Sequence, residues 1–191
     1  VSGYSAVFLG NSGAEANECA IKLARKHGVE QYGKSRCEIL TLQNSFHGRT
    51  VTTLAATGQD VFHHYFYPFT EGFAYAEPNI QSVRENMTEN TCAVMIEFIQ
   101  GEGGVMPLDP QFVKELAALC KERGVLLIAD EVQTGVGRTG SFYCWEQYGV
   151  KSDVLTSAKG LGGGLPTGAC LCTEELRGVM GRSSHGSTSG A

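Results

Sequence analysis

Lys159 stands in Leu155-Thr-Ser-Ala-Lys159-Gly-Leu-Gly-Gly-Gly-Leu-Pro166, after a short apolar run and before a glycine-rich turn. A lysine amine is seldom buried, because its charge must be desolvated. One flanked by glycines, which let a partner approach closely, is placed to attack a carbonyl carbon. Standing alone it would read as a solvent-facing loop lysine. Asp130 closes the apolar run Leu126-Leu-Ile-Ala-Asp130. A carboxylate there can keep a ring nitrogen protonated, or it can pair with a helix terminus. Asn11-Ser12-Gly13-Ala14-Glu15 joins an apolar run to a helical pattern. Free backbone N–H groups and the helix dipole make such a junction an anion site; Ser12 and Glu15 also spell a capping box. Ser45-Phe46-His47-Gly48-Arg49-Thr50 carries an aromatic plane and a guanidinium on one short loop. The first can stack on a ring and the second can hold a carboxylate in a bidentate pair. The plainer readings are core packing for Phe46 and surface charge for Arg49.

An amine, an acid, an anion cradle and a flat apolar surface are what pyridoxal phosphate requires of a protein. The elements that must position them follow from periodicity. Short apolar runs predict strands at 6–9, 38–42, 93–97, 125–130, 154–157 and 168–172, and helical spacing predicts helices at 14–27, 50–56 and 110–123. The last helix has Asp109 as cap, Pro110 in its first turn and Gly124 for a left-handed exit. Phe112, Leu116, Leu119 and Cys120 line one face of it. The strand at 125–130 follows at once and the strand at 93–97 precedes, so the three form a βαβ unit and the sheet is parallel. Glu97 and Asp130 then end parallel strands, where ligands of open α/β sheets collect.

Two motifs point elsewhere. Gly28-Val-Glu-Gln-Tyr-Gly33-Lys34-Ser35 has the phosphate-loop spacing, and the strand ending in Asp130-Glu131 mimics its magnesium partner. Together they would make an ATPase. A phosphate loop needs a strand before it and a helix after it, whereas here a predicted helix precedes and a predicted strand follows. The segment is expected to be a helix C-cap followed by a turn. Gly135-Val-Gly137-Arg-Thr-Gly140 has dinucleotide-loop spacing but leads into Ser-Phe-Tyr-Cys-Trp145, which lacks helical periodicity. It is expected to be a turn near a site.

With 191 residues, 42% of them hydrophobic and 18% charged, the chain can bury a core and is not a disordered segment. A net charge of −5 argues against a nucleic-acid partner. The clearest apolar runs, such as 125–129, are strand-sized, so no membrane span is expected. Seven scattered cysteines, an odd number with no C-x-x-C pair, favour reduced cytosolic thiols over disulfides or a metal site.

Six segments carry a family resemblance. They are Asn11-Ser-Gly-Ala-Glu-Ala-Asn-Glu18, Phe46-His-Gly-Arg-Thr50, Glu97-Phe-Ile-Gln-Gly-Glu-Gly-Gly-Val105, Asp130-Glu-Val-Gln-Thr-Gly-Val-Gly-Arg-Thr-Gly140, Ala158-Lys-Gly-Leu-Gly-Gly-Gly-Leu-Pro166 and His185-Gly-Ser-Thr188. In this order they resemble the class III pyridoxal-phosphate-dependent aminotransferases, and most of all the acetylornithine and ornithine branch. The resemblance implies that Lys159 would hold the cofactor as a Schiff base and later shuttle the proton. Asp130 would pair with the pyridine nitrogen, with Gln133 near the phenolic oxygen. Phe46 and Val132 would sandwich the ring, and Ser12, Gly13 and Ala14 would cradle the phosphate. Arg49 would bind the substrate carboxylate, Ser187 would lie near the substrate, and Glu102 would pair with an arginine further along the chain. Thr188 would reach the cofactor phosphate of a second subunit.

The same resemblance implies a type I pyridoxal-phosphate transferase large domain, α/β, with a mostly parallel sheet and helices on both faces. Residues 1–191 would be part of that cofactor-binding domain, with an N-terminal segment and a C-terminal small domain outside it. The implied reaction takes the amine of N-acetylornithine, or of a similar ω-amino donor, to 2-oxoglutarate, in a cytoplasmic homodimer serving arginine biosynthesis. Ornithine and 4-aminobutyrate are the alternative donors, and a phosphate-loop ATPase and a non-catalytic fragment are the alternatives outside the class. Three positions depart from the family pattern: Phe98 replaces proline, Gly160 replaces alanine, and Ser189 replaces an aromatic residue.

Overall fold

A computed structural model describes residues 2–188; Ser189 lies outside them. The chain runs β1 (Ala6–Gly10), α1 (Gly13–Tyr32), β2 (Glu38–Leu42), α2 (Val51–Ala56), β3 (Phe73–Ala76), α3 (Ile80–Asn86) and β4 (Thr91–Ile96). It continues through a short hairpin, β5 (Ile99–Gln100) and β6 (Met106–Pro107), to α4 (Pro110–Arg123), β7 (Leu126–Asp130), α5 (Trp145–Tyr148), β8 (Val154–Ser157) and β9 (Gly168–Cys172).

Seven strands form one sheet in the order β1-β9-β8-β7-β4-β2-β3. Strands β8, β7, β4, β2 and β3 are parallel, and β9 runs against both β8 and β1. Two reversals restore direction, so β1 points the same way as the parallel set. The start of α1 therefore lies at the same end of the sheet as the exits of β2, β4, β7 and β8. All six resemblance segments except the last begin at this end, which is why they can meet.

Alternation along the central strands explains the two layers. Ala93 and Met95 of β4, with Leu126 and Ile128 of β7, pack with Cys19, Leu23 and Ala24 of α1. Val94, Ile96, Leu127 and Ala129 face the other way, onto Phe112, Val113 and Leu116 of α4. Strands covered on both faces read as unbroken apolar runs, as these do. The expected helix-covered, mostly parallel sheet is what the structure contains.

The predicted caps of α4 are present: Asp109 accepts from the Phe112 N–H at 3.0 Å and Gly124 has φ 61°. Ser12 caps α1 through the Glu15 N–H at 3.1 Å, but the Glu15 carboxylate reaches past Ser12 to the Asn11 N–H, at 2.8 Å. Helix α1 does not stop at Gly28 as expected. It continues to Tyr32 and closes at Gly33. Gly28 lies inside because a Cβ there would come within 2.2 Å of the Arg36 carbonyl oxygen and 2.7 Å of Cys92. The glycine permits close packing and does not mark an end. Gly33 and Lys34 follow the C-terminal end of α1 and lead to β2, so the phosphate-loop spacing is fortuitous.

Four elements were not anticipated: β3, α3, the β5–β6 hairpin and α5. Each is short, and α3 buries only Val83 while α5 buries none of its residues. Such segments carry too few apolar repeats for periodicity to register. Among the described residues all seven cysteines are free and no helix is long and apolar enough to cross a membrane.

Helix propensity favours alanine over glycine by about 1 kcal/mol at an interior position. At Gly28 the steric conflict outweighs this, and Gly28→Ala is expected to lower stability by roughly 1–3 kcal/mol in urea unfolding. An equal or more stable variant would show that the approach of Arg36 and Cys92 is not tight.

Candidate active site

The strand exits enclose a cavity of about 470 Å³. Ser12, Gly13 and Ala14 line it from the start of α1, Phe46, His47 and Arg49 from the β2–α2 loop, and Glu97 from the end of β4. Asp130, Val132 and Gln133 enter from the end of β7, and Lys159 from just beyond β8. Lys159 and Asp130 thus open into one hollow from neighbouring strands.

Asp130 is 4% exposed. Its Oδ2 accepts from Asn17 Nδ2 and from His47 Nδ1, both at 2.8 Å. Its Oδ1 accepts from the Val132 N–H at 3.0 Å and, at the limit of reach, from Thr156 Oγ1 at 3.5 Å. A carboxylate only accepts, so His47 carries its hydrogen on Nδ1. Asn17 also donates to the His47 carbonyl at 2.7 Å, which ties the loop to α1. Burial pulls the His47 pKa down, but the bond and charge of Asp130, with the charge of Glu97, prevail and raise it. Burial pushes Glu97 up to about 7, with Asp130 adding to the rise and His47 opposing it. Glu97 accepts from the Phe46 N–H at 2.9 Å.

Lys159 sits at φ 43°, a left-handed conformation uncommon for a side chain that cannot stabilise it locally. Its amine is exposed and donates to Gln133 Oε1. Arg49 is exposed too, with its guanidinium 5.6 Å from the Phe46 ring centroid and 4.7 Å from that of Phe62. Gly13 is the cradle glycine: a Cβ would strike Val132 at 2.6 Å. The first N–H groups of α1, at Gly13 and Ala14, have no partner within the helix and face an anion from its positive end.

Three expected site residues lie away from this cavity. Glu102 is exposed on the turn between β5 and β6. Ser187 and Thr188 line a separate hollow with Asn11 and Glu15, and Thr188 Oγ1 accepts from Asn11 Nδ2 at 2.9 Å. Asn11 borders both hollows. Conversely, Asn17 and His47 stand inside the resemblance segments without any expected role, yet both bond to Asp130. Their 113- and 83-residue separations from Asp130 hid the contact.

The sequence pattern described as Aminotransferase class-III matches residues 1–191. The chain belongs to the class III aminotransferases. It is 49% identical over 193 residues to acetylornithine aminotransferase of Haemophilus ducreyi, covering all of this chain and 49% of the relative. It is 52% identical over 192 residues to the enzyme of the same name from Wolinella succinogenes, covering all of this chain and 48% of that one. Succinylornithine transaminase of Photorhabdus laumondii is 50% identical over 184 residues, 96% of this chain and 46% of the relative. The ornithine aminotransferase of Toxoplasma gondii superposes with a TM-score of 0.91 at 34% identity, covering 99% of this chain and 46% of that one. The chain spans about half the length of the curated relatives it matches. Its sheet is the α/β type I fold of the pyridoxal-phosphate-dependent transaminases.

The residues present fit that family's cofactor. An acid held by four donors lies in the cavity, an amine and the first two residues of α1 border it, and Phe46 and Val132 face it from different loops. His47 Nε2 and Asn17 Oδ1 are buried without a hydrogen-bond partner among the described residues, so this region carries polar capacity that the chain itself does not use.

Asn17→Leu removes donors to both the Asp130 carboxylate and the His47 carbonyl. It is expected to cost roughly 1.5–3 kcal/mol in chemical denaturation. Thr156→Val, which removes only the long bond, is expected to cost less than about 1 kcal/mol. Equal losses in the two variants would show that Asn17 is not the main support.

Proposed function

We propose that the intact protein is a pyridoxal-phosphate-dependent aminotransferase. In this reading it moves an amino group from an ornithine derivative, with N-acetylornithine first, to 2-oxoglutarate. It would act in the cytoplasm, in arginine biosynthesis. The observation that carries the reading is that Lys159 and Asp130, at the exits of neighbouring strands, open into one cavity that also holds a helix N-terminus. The names of the relatives support an ornithine-type donor, while leaving the acyl group on its distal amine open.

When bound, pyridoxal phosphate supplies a carbonyl carbon on which amines exchange and a ring that draws negative charge away from the substrate carbon losing its proton. Every other role falls to the chain. Lys159 Nζ would hold the cofactor covalently and, when released from it, carry the proton between carbon atoms of donor and cofactor. Asp130 would accept a hydrogen bond from the ring nitrogen and keep the proton there, held in place by Asn17 and His47. Gly13 and Ala14 N–H groups, with Ser12, would take the phosphate at the positive end of α1. Phe46 and Val132 would fix the plane of the ring, and Gln133 would meet its phenolic oxygen.

Arg49 would grip the substrate carboxylate with two parallel N–H bonds. Its exposure, with no ion pair to it among the described residues, suits a residue that must release product at each half-turnover. Ser187, Thr188 and Glu102 are proposed to act at the boundary of the site. The 187–188 rim, joined to the cavity by Asn11, would meet the site of a second subunit, and Glu102 would pair with an arginine outside this chain. Residues 1–191 would be the central part of the large domain.

Intact protein incubated with pyridoxal phosphate is expected to show a visible absorbance band that Lys159→Ala abolishes, together with turnover. A panel of acetylornithine, succinylornithine, ornithine and 4-aminobutyrate then ranks the donors. No band in the wild type would end the reading, and preference for 4-aminobutyrate would end the ornithine assignment. The intact protein is further expected to sediment as a dimer. A monomer with full activity would refute the shared-site role of Thr188.

A further inference from the structure

Three thiols meet in one place away from the cavity described above. Cys19 faces the sheet from α1, and Cys170 and Cys172 face the helix from β9; all three belong to one apolar cluster with Leu23, Ala24 and Leu176. Cys19 and Cys170 are 2% and 4% exposed. Helix and strand lie close together here: a Cβ on Gly168, at the start of β9, would come within 2.1 Å of the Ser12 carbonyl oxygen at the start of α1. The three cysteines also line a hollow of about 160 Å³, together with Phe8, Met180 and His185. The segment leading to Thr188 is fastened beside it. Lys22 Nζ donates to the Ser184 carbonyl at 2.8 Å and meets His185 Nδ1 at 3.1 Å, and the His185 ring lies 4.7 Å from that of Phe8.

Contact and reach decide which two of the three can react with each other. The Cys170 thiol donates a hydrogen bond to the Cys19 sulfur. Cys170 and Cys172 stand two residues apart on one strand, roughly 7 Å between Cα atoms, which is the outer limit for a bridge. The hydrogen bond from Cys170, with the charge of Lys22, holds the Cys19 thiol below its ordinary range against the opposing effect of burial. The same bond, with burial and the Cys19 charge, pushes Cys170 well above it. Burial pushes Cys172 up as well. A lowered thiol is the nucleophile and a raised one keeps its proton, so Cys19 and Cys170 have complementary parts.

We propose that Cys19 and Cys170 form an oxidation site for hydrogen peroxide, which converts the pair to a disulfide joining α1 to β9. The Cys19 sulfur attacks one peroxide oxygen, the O–O bond breaks, and the departing hydroxide leaves as water with the Cys19 proton. The Cys170 sulfur then attacks the sulfenic sulfur of Cys19. The S–O bond breaks, and that oxygen leaves as a second water with the Cys170 proton. Two thiols give up two electrons and one peroxide takes them. Oxidation of Cys19 removes the negative charge that holds the Cys170 proton, so the first step prepares the second. The hollow has room for the oxidant, since a water molecule takes up about 30 Å³ in the liquid and hydrogen peroxide is one oxygen larger. The site lies outside the mechanism proposed above and does not depend on it.

The test treats the intact, native protein with hydrogen peroxide, alkylates the remaining thiols after unfolding, and maps the peptides by mass spectrometry. A bridge between Cys19 and Cys170 is expected, and dithiothreitol is expected to reverse it. Cys120, which burial pushes up to about 12, serves as the internal control. The bridge is expected to form at least about tenfold faster than Cys120 is modified. Cys172→Ala is expected to form the same bridge, and Cys19→Ala and Cys170→Ala to form none. Absence of the bridge in the wild type overturns the proposal, as does its loss in Cys172→Ala. Modification of Cys120 at the same rate also overturns it, because the thiols would then be reacting through unfolding. Should either variant of the pair fail to fold, the wild-type map and that of Cys172→Ala decide the matter.

Discussion

A carboxylate removed from water must be met by donors, or its desolvation destabilises the fold by several kcal/mol. Asp130 is met by four, and they come from four places: Asn17 on α1, His47 on the β2–α2 loop, the Val132 N–H just beyond β7, and Thr156 on β8. Bringing those groups together fixes how the helix and the loop sit against the sheet. Asn17 shows the coupling most directly, since it bonds to Asp130 and to the His47 backbone at once. A single amide thus sets both the acid and the loop that presents Phe46 and Arg49 to the cavity.

Strand polarity supplies the other half of the arrangement. The parallel strands deliver their exits to one end of the sheet, and the antiparallel β9 restores the direction of β1 so that α1 starts there as well. The anion cradle, acid, amine and aromatic face come from residues as far apart as Ser12 and Lys159, yet all stand within one turn or loop of a strand exit. Glycine at position 13 completes the convergence, because any side chain there would collide with Val132. The close approach of α1 to the β7 exit is a steric requirement as much as an electrostatic one.

Much of this was legible in the sequence where a local signal existed. The apolar runs of β2, β7, β8 and β9 and the caps of α4 were visible because burial on both faces and capping chemistry act over a few residues. Lys159 and Asp130 stood out as charged residues at the ends of apolar runs. Gly28 misled because a glycine that ends a helix and one that allows a carbonyl to approach look the same in one dimension. Asn17, His47 and Glu97 were legible as letters of motifs but not as a network. Nothing in spacing indicates that residues from three separate segments share one buried set of hydrogen bonds. Short edge elements such as β3 and α3 take their stability from neighbours, so their own periodicity is weak.

The floor and the rim of the cavity are under different physical constraints. Asp130, His47 and Glu97 are buried, and a change at any of them leaves a polar or charged partner without compensation. Arg49, Glu102, Lys159 and Thr188 are exposed, where single charged contacts contribute about 0–1 kcal/mol to folding. Residues at the rim can therefore change with little consequence for the fold, while those of the floor cannot. That division would suit the proposed activity, in which the floor would hold the cofactor ring and the rim would meet the donor. Lys159 has its backbone in a left-handed turn after buried Ala158, while its exposed amine meets only the side chain of Gln133 among the hydrogen bonds described. The acid beneath is buried and held by four donors, whereas the amine above it is exposed.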